Sequence, residues 1–122
     1  MPPNERRKFM RIETALEADY WAKGPSMTSG RARIRDFCRE GLGILLPKLV
    51  KPGEHVDLTF KVPGDNVPIF ATGEVTWAQP QKENSQVGAG VRLLTIKPLD
   101  LARLLDFVYS HWLGSVRGTL AR

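Results

Sequence analysis

Cysteine is nearly absent from this 122-residue chain: Cys38 stands alone. No internal disulfide can form, and the sequence suits a reducing compartment. Histidine is almost as scarce. His55 and His111 lie far apart in no ligand-like spacing, so a zinc or other metal site has no support. There is no long apolar run and no signal-peptide pattern, which makes a soluble, cytoplasmic protein without membrane insertion the expectation. A phosphate loop, a dinucleotide fingerprint and an internal repeat are also missing. Nothing in the sequence supplies a base for Cys38 as a nucleophile. Asp36 and Glu40 are flanked by Arg35 and Arg39, which reads as a neutralised loop rather than an acid–base pair. These absences leave a binding module, not an enzyme.

What the chain does have is ordinary globular content, 42% hydrophobic and 25% charged, in a length suited to one domain with its own core. Its net charge of +5 points towards acidic partners such as nucleotide, nucleic acid or anionic lipid, or to a basic solvated surface. Seven of the eleven arginines fall between Arg6 and Arg39. The densest run is Glu5-Arg6-Arg7-Lys8-Phe9-Met10-Arg11, with four cations just ahead of the first alternating segment. Such a cluster is either a solvated tail or an arm that closes on an anionic ligand. Arg7 and Arg11 are four apart, and each guanidinium is a fork that can hold a phosphate or a guanine O6/N7 edge. The spacing recurs at Arg31/Arg35 and Arg35/Arg39, so spacing alone does not single out the arm.

Hydrophobic alternation predicts six strands followed by one helix, an all-β chain with a C-terminal helix. Residues 1–11 are expected to be a flexible basic arm. Leu16 to Ala22 alternates with Leu16, Ala18 and Tyr20 on one face, and Lys23 to Gly30 is its turn. Arg31 to Arg35 points Ala32 and Ile34 inward and three arginines outward, as a solvated sheet face or a ligand surface. Asp36 to Gly43 breaks the pattern, and Ile44 to Leu46 is a short buried strand stopped by Pro47. His55 to Val62 and Ile69 to Trp77 flank the turn Pro63-Gly64-Asp65-Asn66, with Gly73 suggesting a bulge or a sharp bend. Gly88 to Leu94 is the sixth strand. Pro98 and Asp100 then open a helix with the stripe Leu101, Leu105, Val108 and Trp112, Leu104 beside it and Gly114 as its stop. The expected layout is a barrel-and-helix domain over 12–114 and a tail over 115–122.

Two motifs in this order resemble a known family. Arg7-Lys8-Phe9-Met10-Arg11 stands before the first strand, and Asp36-Phe37-Cys38-Arg39-Glu40-Gly41 lies between strands two and three. An Arg-x-x-x-Arg arm followed by Asp-x-Ser-x-x-Gly is the signature of PilZ domains. The likeness continues through Lys51-Pro52-Gly53-Glu54, Gly73-Glu74-Val75-Thr76-Trp77 and Gly88-Ala89-Gly90-Val91-Arg92-Leu93. Cys38 departs from it, standing where the family has serine; a thiol is a weaker donor and acceptor than a hydroxyl.

The resemblance implies a six-stranded antiparallel β-barrel capped by an α-helix, and a bacterial receptor for the second messenger cyclic di-GMP. Arg6, Arg7 and Arg11 would then hold phosphate and guanine edges. Asp36 would accept from guanine N–H groups or orient Arg11, Cys38 would meet the ligand, and Gly41 would keep the loop open for close approach. Trp77 reads either as an exposed stacking face for a guanine or as a core residue sharing a side with Val75 and Ala71. Ligand binding would order the arm and signal to a protein partner. Two alternatives stay open: a degenerate PilZ domain serving as a protein-interaction scaffold, and a basic barrel using Arg31, Arg33 and Arg35 on single-stranded nucleic acid.

Overall fold

The structure, a computed structural model, describes residues 11–38, 41–81 and 85–120. Six strands come first: β1 (Arg11–Ala22), β2 (Ser29–Cys38), β3 (Gly41–Leu46), β4 (His55–Phe60), β5 (Ile69–Pro80) and β6 (Val87–Ile96). A single helix, α1 (Pro98–Leu120), follows. All six neighbouring pairs are antiparallel, and the order β1-β2-β3-β6-β5-β4 closes when β4 pairs back onto β1. Closure leaves no sheet edge for another chain to extend.

The period-two pattern fixes which face is inside. Ala18, Tyr20, Ile34, Ile44, Leu46, Val56, Leu58, Ile69 and Val75 fill the barrel, all nearly inaccessible. The register stacks them across strands: Ile34 opposes Leu16 and Ile44, and Tyr20 opposes Leu58. Polar groups that enter are paired. The Tyr20 hydroxyl lies 3.1 Å from Thr28 Oγ1. The Glu54 carboxylate accepts from Ser26 N at 2.8 Å, Ser26 Oγ at 2.6 Å and Lys51 N at 2.6 Å, tying the β1–β2 turn to the loop before β4.

The helix starts as expected, with the Leu101 N–H donating to the Lys97 carbonyl at 2.8 Å and Asp100 in the first turn. Its buried face is rotated from the expected stripe. Leu104 joins the core with Phe107 and Val108 beside it, whereas Leu105 is exposed. Leu104, Phe107 and Val108 have the i, i+3, i+4 spacing of a face as good as the one read from the sequence. Arg103 fastens this helix to the β4–β5 turn, donating to Asp65 Oδ2 from Nε at 2.9 Å and to the Val67 carbonyl. The helix also runs through Gly114 to Leu120 rather than stopping. A glycine inside a helix costs only about 1 kcal/mol relative to alanine, and the apolar period resumes at Val116 and Leu120.

Candidate functional site

Three irregularities in the ladder decide what the outer surface carries. Along β2, simple alternation would send Asp36 inward with Ala32 and Ile34. The β2–β3 register instead steps from Ile34↔Ile44 to Asp36↔Gly43, so Arg35 is an extra residue. On the other side Glu13 opposes Asp36 and Leu16 opposes Ile34, with Thr14 Oγ1 donating to the Ile34 carbonyl at 3.0 Å inside that irregularity. A bulge of this kind re-aims the following side chains. After it, Phe37 pairs with Leu42 in the core and Asp36 turns to the outer face.

The same device acts on β5. Val75 opposes Val91 and Trp77 opposes Gly90, leaving Thr76 as the extra residue. Thr76 Oγ1 donates to the Gly90 carbonyl at 3.2 Å. Trp77 therefore leaves the side it would have shared with Val75 and is 46% exposed, while Val75 is buried. Trp77 is thus exposed and not a core residue beside Val75 and Ala71.

These bulges bring Asp36 and Trp77 to one row of the barrel surface. Asp36 opposes Gly43, Gly43 opposes Gly90, and Gly90 opposes Trp77. Both intervening glycines are occupied space. A Cβ on Gly43 would come 2.7 Å from Asp36 Oδ1, and one on Gly90 would come 2.1 Å from Trp77 Nε1. The carboxylate and the indole therefore lie over paired glycines, a seat that any larger residue would fill. Asp36 is mostly shielded, at 8% exposure.

The next row of the ladder runs through the backbone of Arg11, Cys38, Gly41, Arg92 and Glu74. Arg11 is the first residue of β1 and opposes Cys38, so the end of the basic arm and the Asp36 motif are adjacent in the ladder. Their side chains lie outside the described residues, as do Arg6 and Arg7 altogether. Gly41 has a packing role: a Cβ there would come 2.0 Å from the Val91 carbonyl oxygen.

Sequence reasoning missed Arg92. It follows Gly90 on the outer side of β6 and pairs with Glu74, Nη2 to Oε1 at 2.5 Å. The signal was present in Gly88-Ala89-Gly90-Val91-Arg92, where alternation puts the arginine on the glycine side. The outer face of β2 is partly neutralised, because Arg31 is held by Glu17 at 2.8 Å and Asp19 at 3.3 Å. Among the described residues no group of three His, Cys, Asp or Glu could hold a metal ion, and no helix is long and apolar enough to cross a membrane.

The family model described as PilZ domain matches residues 5–110. Among solved structures, the Bacillus subtilis inhibitor of motility MotI/DgrA superposes with a TM-score of 0.71 at 18% identity, over 93% of this chain. This chain spans 57% of that protein's length. The PilZ domain of Escherichia coli YcgR, solved with c-di-GMP, superposes with a TM-score of 0.65 at 15% identity, covering 93% of this chain and 97% of the other. No match was found among curated protein sequences.

Proposed function

The chain belongs to the PilZ domain family, and we propose that it is a receptor for cyclic di-GMP rather than an enzyme. The observation that carries this reading is the outward row of Asp36 and Trp77 over Gly43 and Gly90, beside the row that starts at Arg11. The ligand carries two phosphates and two guanines. Arg6, Arg7 and Arg11 supply charge-assisted forks for phosphate and for guanine O6/N7. The Asp36 carboxylate accepts from guanine N–H groups or orients Arg11, Cys38 sits where the family's serine meets the ligand, and Gly41 holds β3 against β6. The Trp77 face stacks on a guanine. That the YcgR domain was solved with c-di-GMP supports the choice of ligand.

Binding draws residues 5–11 onto the barrel and changes the surface that a protein partner meets. Titration calorimetry of the full chain with cyclic di-GMP tests the reading. Saturable heat that disappears in the Arg7→Ala/Arg11→Ala variant is expected, together with slowed amide exchange in 5–11. Absence of heat at high micromolar ligand, or undiminished binding by the double variant, rejects it. A nucleic-acid surface on β2 is less well supported, since Arg31 is already paired.

A further inference from the structure

We propose that Arg92 is a ligand contact on this face and that Glu74 is its resident competitor. The inference rests on the cyclic di-GMP reading and extends it to two residues outside the two arginine and aspartate motifs. Arg92 is the outward residue following Gly90 on β6, and Gly90 is the seat of the Trp77 indole. Arg92 is therefore a diagonal neighbour of Trp77 across the β5–β6 pair, within reach of a long side chain. Towards Cys38, its neighbour in the row is Gly41, which has no side chain to stand in the way.

A guanidinium has five N–H donors in a fixed fork. Arg92 gives one terminal nitrogen, Nη2, to Glu74 Oε1, and the side chain is 55% exposed. Donors therefore remain for a phosphate or for a guanine O6/N7 edge stacked on Trp77. The pair itself is exposed enough to be weak, with Glu74 at 31%. An incoming anion can take over Arg92 at small cost, while the carboxylate left beside it opposes negative charge. Glu74 thus holds the fork in position before binding and limits the affinity afterwards.

The test is calorimetric titration of the full chain with cyclic di-GMP near physiological salt, each variant first shown to unfold with the wild-type thermal midpoint. Arg92→Gln should weaken binding about ten-fold, and Arg92→Lys, which keeps the charge without the fork, about three-fold. Glu74→Gln should tighten binding about three-fold, a gain that vanishes in the Arg92→Gln background. Arg31→Gln removes the same charge from the β1–β2 face and should change little. If wild type binds and Arg92→Gln stays within two-fold of it, or if Arg31→Gln weakens binding equally, the inference is overturned while the receptor reading stands. A wild-type chain that binds nothing overturns both.

Discussion

Replacing Gly90 with alanine tests the site at its floor without touching a residue that meets ligand. The new methyl would lie 2.1 Å from Trp77 Nε1, 2.6 Å from Cδ1 and 2.8 Å from Cε2, so the indole has to lift. Trp77 is 46% exposed; covering the other half removes on the order of 100 Å² from water, about 2–3 kcal/mol of apolar burial. Lifting the ring forfeits much of that, and alanine recovers roughly 0.5–1 kcal/mol because glycine is the poorer strand residue. The expected loss of unfolding free energy is therefore about 1–2 kcal/mol. A displaced stacking face also costs ligand binding about 1–3 kcal/mol, roughly 5- to 150-fold in Kd. With Trp21 and Trp112 replaced by phenylalanine, Trp77 is the only tryptophan of the chain's three left to emit. Its emission should shift to the red in Gly90→Ala, the urea midpoint should fall, and Gly90→Ala/Trp77→Ala should bind no worse than Trp77→Ala. Unchanged emission and midpoint would refute the seat. A red shift with unchanged Kd would refute the stack.

Four further outcomes are expected. Burial pushes the Glu54 carboxyl up, but hydrogen bonds from Ser26 and the Lys51 backbone, with the Lys51 charge, leave it below its ordinary 4.5. Asp57 is held below 3.8 by Lys23 and then by Thr72, and Asp65 by the Val67 N–H and then Arg103. Lowered folded values mean that the folded state binds fewer protons, so this stability is complete above the ordinary values and drains as pH falls below about 4. Urea unfolding from pH 7 to 3 should show that decline, and Glu54→Gln should cost about 2–4 kcal/mol at pH 7 and flatten part of it. Gly41→Ala should destabilise by about 3 kcal/mol or prevent folding, because the methyl meets a backbone carbonyl that cannot swing away; ligand-free thermal unfolding checks this. Arg103→Ala should free α1 from the β4–β5 turn, read as helix amides exchanging well before those of the barrel strands. Cys38→Ser should raise cyclic di-GMP affinity in calorimetry, the hydroxyl being the better hydrogen-bonding group.

Much of the architecture was legible because period-two alternation is a property of consecutive residues. Leu16, Ala18 and Tyr20 share one face by the alternation of β1 alone, and all three are in the core. Gly73 suggests a bulge or bend from the sequence, and the β5–β6 register does shift between Thr72 and Gly73. What failed depends on choices between equal local patterns. The helix offers two overlapping apolar stripes, and packing against β1 and β5 selected the one centred on Leu104. Gly114 looked like a stop because glycine often ends helices, yet nothing local forces the chain to leave the helix there.

The candidate residues stand out in the sequence and the direction of their side chains does not, for a single physical reason. A motif marks Asp36 and a strand end marks Trp77, but neither residue reveals its direction from strand parity. Parity survives only while the ladder stays in step. One extra residue at Arg35 and one at Thr76 each invert it, and those insertions are defined by what the partner strand does across the gap. Without them Asp36 would face the apolar interior as a buried charge, and the Trp77 indole would compete with Val75 for the same volume. Both arrangements are costly. The out-of-step residues are therefore what let a stable apolar barrel and a charged, aromatic outer row share the same strands. Arg92 needed no such inversion. It lies outward by plain alternation from Gly90, so its direction, unlike that of Asp36 and Trp77, follows from β6 alone.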